Sequence, residues 1–186
     1  MNNTSPTTIS TGGGAVVDGS AEAARDFIGR DNIRVTIINV NAPTAVGAQT
    51  GVPASGLHLL NFTRPITDAQ RAVIEEQLEQ PIAVMYEIEV EFDDNRAYGS
   101  QCVAVLDQVP LTGKQWQTTP LVVNLPGITP GAACLLSELH GRIGNFPPVV
   151  RLCRRPGRST ANYFVAEVID LQAQRDKARQ RAKSNQ

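Results

Sequence analysis

Residues 121–152 read LVVNLPGITPGAACLLSELHGRIGNFPPVVRL, and the fold class follows from this stretch. Leu121-Val122-Val123 is a short apolar run of the kind that lies buried on both faces of a parallel sheet. Asn124-Leu125-Pro126-Gly127 breaks the strand with turn chemistry. Thr129 is expected to cap the helix that follows, and Pro130 stands at its first position, where a missing N–H costs nothing. Ala132, Leu135, Leu136, Leu139 and Ile143 recur at helical spacing on one face. Gly144 ends the helix, Pro147-Pro148 enforce the stop, and Val149-Val150 opens the next strand. A strand–loop–helix–strand unit of this kind predicts a right-handed parallel crossover.

Such a unit also says where a ligand would sit. Open α/β sheets bind at the carboxyl ends of their strands, beside helix N-termini that favour anions. Here that position is Asn124 to Thr129. Opposite the leucines, Pro130, Cys134, Ser137 and Gly141 form a small-residue stripe flanked by His140. The stripe would admit a second helix or a flat ligand, or would simply be tolerated surface.

Upstream, Leu57-His58-Leu59-Leu60 reads as the first strand of the main domain, with Asn61-Phe62-Thr63-Arg64-Pro65 as its exit loop. Thr67 and Gln70 form a capping box for a helix that carries Val73, Ile74 and Leu78 and is closed by Pro81. From Val84 to Phe92 apolar residues alternate with Glu87, Glu89 and Glu91, which predicts an exposed or edge strand protected by its charges. A catalytic carboxylate cluster is the sharper reading of the same residues. Ser100 to Val109 reads as a shorter helix, and Pro110 to Pro120 as a loop holding Trp116, a packing anchor or a stacking platform. Downstream, Arg151, Arg154, Arg155 and Arg158 surround a Pro156-Gly157 turn. Tyr163 to Ile169 then returns as an antiparallel strand, followed by a charged helix over 172–183 with little apolar stripe, solvent-facing or frayed.

The segment before residue 41 differs from the rest. Its β-prone runs, Ala15 to Val17, Phe27-Ile28 and Ile33 to Val40, are punctuated by Gly12 to Gly14, Asp18-Gly19 and Gly29-Arg30-Asp31. They are too short to bury their own faces and need copies of themselves or the main domain to pack on. With Gly12-Gly13-Gly14-Ala15 upstream, Asp26 to Asp31 resembles the glycine-rich GDFxGRD leader found before several bacterial defence proteins, Arg25 standing where that leader has glycine. The expected organisation is a β-rich, oligomerising leader over 1–40, a linker over 41–56 and the main domain over 57–186.

Composition bounds the rest. The chain has 186 residues, of which 41% are hydrophobic and 19% charged, enough for a sizeable core and against wholesale disorder. The net charge of −1 supplies no global field toward DNA or membrane. No apolar run approaches a membrane span, and MNNTSPTTIS lacks the basic start and apolar core of a secretory signal, so a cytoplasmic location is expected. Cys102, Cys134 and Cys153 are widely spaced and read as small buried hydrophobes. With only His58 and His140 besides, neither a metal nor a cofactor is expected.

No P-loop or nucleophile elbow is present; Gly113-Lys114 lacks the upstream glycine. Asn61 and Asn124, at matching strand exits, could donate to phosphate or read a base edge, and the arginine hairpin could meet phosphates. Leu59-Leu60-Asn61-Phe62-Thr63-x-Pro65, Trp116-Gln117-Thr118, Val123 to Gly127, Glu138 to Arg142 and Phe146-Pro147-Pro148 together resemble a small CRISPR-associated family of type III loci. The resemblance spans residues 57 to about 182. It implies a CARF-like, Rossmann-type sheet with flanking helices that binds cyclic oligoadenylate, chiefly the tetra-adenylate messenger of antiviral defence.

Two roles attach to such proteins: a sponge that sequesters the messenger, and a ring nuclease. The expected ligand-binding residues are Asn61, Phe62, Thr63, Arg64, Asn124, Leu125, Pro126, Gly127, His140, Arg151 and Arg154. In a nuclease acting by 2′-OH attack, Ser137, His140 and Arg142 would carry the chemistry. Arg64 replaces the histidine that the family pattern has there, which weakens the case for cleavage. A homodimer would present paired loops to a symmetric ring. A structural adaptor in a defence assembly is the remaining reading.

Overall fold

The computed structural model describes residues 33–39, 56–156 and 162–184. The runs at 15–17 and 27–28, the expected linker as far as residue 55 and Arg158 therefore lie outside the described residues. In chain order the elements are β1 (Ile33–Asn39), β2 (Leu57–Asn61), α1 (Asp68–Leu78), β3 (Ile82–Val90), α2 (Tyr98–Leu106), α3 (Gly113–Thr118), β4 (Leu121–Asn124), α4 (Thr129–Ile143), β5 (Val149–Arg154), β6 (Tyr163–Ile169) and α5 (Leu171–Ser184). The strands form a six-stranded sheet in the order β1-β3-β2-β4-β5-β6. β3, β2, β4 and β5 run parallel, and β1 and β6 flank them antiparallel. This is a Rossmann-like α/β fold with a mixed, mostly parallel sheet.

The apolar runs are continuous because both sheet faces are covered. Leu60, Tyr86 and Val123 turn toward α2, α3 and α4, where they meet Cys102, Leu106, Trp116, Leu135 and Leu139. Their neighbours Leu59, Met85 and Val122 turn the other way and meet Ile74 of α1 with Val150 and Val165. Ile74 is fully buried, a contribution of about 1.5–3 kcal/mol for a side chain of its size. The sheet's edge at β6 meets α1: Gln70 Nε2 donates to the Tyr163 carbonyl at 2.8 Å, and Val168 N donates to Gln77 Oε1 at 2.7 Å. Two glutamines on one helix thus satisfy backbone groups that an open edge would present to solvent.

The β4–α4–β5 crossover is parallel, with Val123 in register with Val149. The β5–β6 hairpin is antiparallel, and α5 buries none of its residues. The capping box of Thr67 and Gln70 is formed. Four expectations need correction. Ile33 to Asn39 is a full strand of the main sheet, paired along its length with β3, so a boundary at residue 57 cuts an edge strand away. Ile33 and Val35 are buried in the main core, which draws the segment onto the domain. β3 is consequently not an edge strand; its glutamates lie on the face that β1 and β3 share. Ile128, not Thr129, is the N-cap of α4, and no side chain caps it, because the helix begins at Thr129 itself. Trp116 sits in α3, opened by a capping box of Thr112 and Gln115, and is buried against the core.

Of the small-residue stripe, Ser137 and Gly141 are exposed and Cys134 packs partly into the core. The close approach between α2 and α4 falls instead at Gly131, whose carbonyl lies 3.7 Å from Cys102 Sγ.

Candidate functional site

The chain leaves β2 for β3 on one side of the sheet and later leaves β4 for β5 on the other. Between β2 and β4 the strand order reverses, and the carboxyl ends of strands at such a reversal are where open α/β sheets form their binding crevice. Asn61 and Asn124 are the last residues of these strands and register partners. Both are buried, at 0% and 4% exposure, so neither presents its amide to a ligand from the surface.

They are bonded to each other. Asn124 Nδ2 donates to Asn61 Oδ1 at 2.8 Å and to Thr63 Oγ1 at 2.7 Å. Asn61 Nδ2 donates to the Arg64 carbonyl at 2.8 Å and to Glu87 Oε2. Asn61 Oδ1 also receives the Thr63 N–H and hydroxyl, at 3.3 and 3.2 Å. Phe62 N donates to the Asn124 carbonyl at 2.9 Å, continuing the β2–β4 ladder into the loop. The asparagines therefore form the floor of the crevice and fix the loop Asn61 to Pro65 above it.

Glu87 is the residue that sequence reasoning left out of the site. It lies beside Asn61 across the β2–β3 ladder and also accepts from Ile66 N at 3.4 Å. Burial pushes its carboxyl above the ordinary carboxylate range, the bonds from Asn61 and Ile66 pull it back in part, and Glu89 adds to the rise. Its signal was the alternation of β3, but only the strand pairing brings it to Asn61.

The β5–β6 hairpin overhangs this end of the sheet. β5 continues from the Val123–Val149 rung to Arg154, roughly 16 Å at ~3.3 Å per residue, whereas β4 continues by Asn124 alone. Arg64 lies over the Tyr163 ring at 4.1 Å, tying the β2 exit loop to the hairpin. Arg154 is exposed and is the register partner of Tyr163. Arg151 is exposed and bonded to Glu167 at 2.6 Å, which strengthens its hold on its proton. Leu125 and Pro126 are half-buried, and Gly127 is exposed ahead of α4.

Asn61 to Arg64, Asn124 to Gly127 and Arg154 thus share the carboxyl end of the sheet. Ser137, His140 and Arg142 do not. They lie toward the far end of α4, a helix of 15 residues and so about 22 Å long. His140 stacks on Phe146 with ring centroids 4.3 Å apart. Arg142 is bonded to Asp107 at 2.8 Å and Glu138 at 2.9 Å, clamping α2 to α4. A cavity of ≈ 360 Å³ opens at this amino-terminal end of the strands, lined by Leu57, Leu78, Thr119, Leu121, Ile143 and Pro147, away from the asparagines.

Among the described residues no cluster of His, Cys, Asp and Glu could hold a metal ion. None of their helices is long and apolar enough to cross a membrane. No family model matches the chain, and no curated protein or solved structure does. The class defined by fold and crevice is a Rossmann-like α/β protein whose strand order reverses between β2 and β4.

Proposed function

We propose that the chain binds a cyclic oligoadenylate, most readily the tetra-adenylate messenger of type III CRISPR defence, and limits signalling by sequestering it. The observation that carries this reading is the crevice at the reversal of strand order. It is floored by the Asn61–Asn124 pair and flanked by exposed Arg64, Arg154 and the start of α4. Backbone N–H groups at Gly127 to Thr129 and the two guanidinium groups suit phosphates.

Sequestration is favoured over cleavage because Arg142 is committed to Asp107 and Glu138, and His140 to Phe146, at the other end of α4. Labelled cyclic tetra-adenylate incubated with the protein should be retained and recovered as an intact ring. Linear products would replace the sponge with a ring nuclease, and no retention at any concentration would discard both. Affinity should fall as salt rises, and Arg154→Ala should flatten that dependence by about one phosphate contact. A salt-independent affinity in the parent chain would remove the arginines from the site.

A further inference from the structure

β2 and β4 both end on an asparagine, and the polarity of the two amides is fixed from outside. A primary amide fits either way round, so its orientation follows from partners that have a single role. The Arg64 carbonyl can only accept, and it receives Asn61 Nδ2 at 2.8 Å. Glu87 Oε2 takes the other N–H of the same group. Asn61 Oδ1 is thereby turned to β4, where it receives Asn124 Nδ2 at 2.8 Å. Asn124 Nδ2 also donates to Thr63 Oγ1 at 2.7 Å, and the Thr63 hydroxyl gives its own proton to Asn61 Oδ1. Reversing Asn124 would set its oxygen against the Asn61 oxygen with no proton between them. The relay therefore runs one way, and it ends on Asn124 Oδ1.

That oxygen is left over. Among the described residues no donor reaches it, although Asn124 keeps only 4% of its surface exposed. Nor is it sealed away. The buried side-chain atoms that lack a partner among the described residues are the two of the Gln108 amide, so Asn124 Oδ1 meets solvent at the carboxyl end of β4. Both N–H groups of this side chain are committed, and its oxygen cannot trade places with them. It is a fixed acceptor that takes donors and repels other acceptors. Fixed polarity of this kind discriminates between ligands more than it adds to general affinity.

We infer that Asn124 Oδ1 reads the base of the ligand, accepting a hydrogen bond from the exocyclic amino group of adenine. This rests on the cyclic-oligoadenylate reading of the same site. The exposed cations Arg64 and Arg154 and the N–H groups ahead of α4 take phosphates at the rim. A nucleotide anchored there by phosphate reaches a deeper point with its base edge, and the adenine edge carries an amino donor. Guanine or hypoxanthine presents a carbonyl in that position and would bring oxygen to oxygen. A ribose hydroxyl both donates and accepts, so it gains nothing from an oriented amide. The orientation is imposed by the Arg64 carbonyl and Glu87, which makes Glu87 a positioning residue that touches no ligand.

The test compares the full chain's affinity for cyclic tetra-adenylate with that for the same ring built from purine riboside, which lacks the amino group. The parent should hold the amino-less ring at least about tenfold more weakly, as when a desolvated acceptor is left without its donor. A tetra-inosinate ring, with a carbonyl in that place, should bind no better than the amino-less one. Asn124→Ala should weaken the adenylate ring and bring the two affinities within about threefold of each other. Asn124→Asp keeps an acceptor there and should keep the preference. Thr63→Val loosens the loop but leaves Oδ1 in place, so it should weaken both rings by the same factor. A purely structural Asn124 would behave like Thr63 and preserve the ratio. Equal affinity of the parent for the two rings, or a preference that survives Asn124→Ala, would overturn the assignment and leave cyclic-oligoadenylate binding standing. So would a 2′-deoxy ring that loses tenfold where the amino-less ring loses nothing, which would give the oxygen to ribose. Should Asn124→Ala fail to fold by circular dichroism, the parent's own ratios decide. Retention of no ring at all would remove the proposed function itself, and this assignment with it.

Discussion

Asn124 shows how one side chain can serve the fold at the place where the site is expected. Its amide is buried and donates to Asn61 and Thr63, so Asn124→Ala removes the two shortest of these bonds and leaves the Asn61 oxygen with only the longer Thr63 contacts at 3.3 and 3.2 Å. The loss should be about 1–3 kcal/mol of stability, read in urea unfolding, and ligand binding should weaken through the loosened loop. An unchanged midpoint would mean that the loop is held by other contacts. Glu87 makes the complementary prediction. Its folded carboxyl titrates above the ordinary value of 4.5, so the folded state prefers it protonated. Its contribution is most favourable below that value and is lost as pH rises through the folded pKa. Glu87→Gln, neutral throughout, should therefore gain stability relative to the parent as pH rises from about 4 to 8. Melting curves that keep a constant offset across this range would show that the carboxyl is not linked to folding.

At the scale of the element, α4 is set by its first turn. Gly131 faces Phe92 and Ile128, and a Cβ there would stand 2.9 Å from Ile128 Cγ2 and 3.3 Å from the Phe92 ring. Alanine would gain up to about 1 kcal/mol of helix propensity, less in a first turn. The overlap involves a β-branched methyl that cannot swing away, and such overpacking costs about 1–3 kcal/mol. Overpacking wins, and Gly131→Ala should lower stability by about 1–2 kcal/mol in chemical unfolding. A stabilised variant would show that α4 can shift away from Phe92. The same contact explains why the small-residue stripe was placed one residue off. Helical periodicity gives the faces of α4, but which face meets α2 depends on where α2 lies.

For the molecule as a whole, the decisive contact is β1 on β3. Were residues 1–40 a separate leader, a truncation of residues 1–50 would leave the main domain whole, yet it takes Ile33 and Val35 out of the core. Each is worth about 1.5–3 kcal/mol when buried, so that truncation should unfold early or aggregate through the bared β3 edge. Removing residues 1–32 should leave the sheet intact. Thermal melts of the two truncations decide the boundary, and equal melting temperatures would return β1 to the leader. Light scattering on the shorter truncation then isolates any assembly due to residues 1–32.

Local elements of structure were written in the sequence wherever periodicity and caps act over a few residues. These include the β4–α4–β5 crossover, the Thr67–Gln70 capping box, the β5–β6 hairpin and the bare terminal helix. The parallel class followed from runs such as Leu121 to Val123, which only a sheet covered on both faces can bury. Tertiary structure alone decided the rest. Whether Ile33 to Asn39 joins the sheet is a choice of partner across about fifty residues, and alternation does not encode partners. The meeting of Glu87 with Asn61 depends on the register of β2 against β3, and the separation of His140 from the crevice on the direction and length of α4. Local preference is a property of neighbouring residues, whereas a site is a property of strand order, which exists only after the chain has closed on itself.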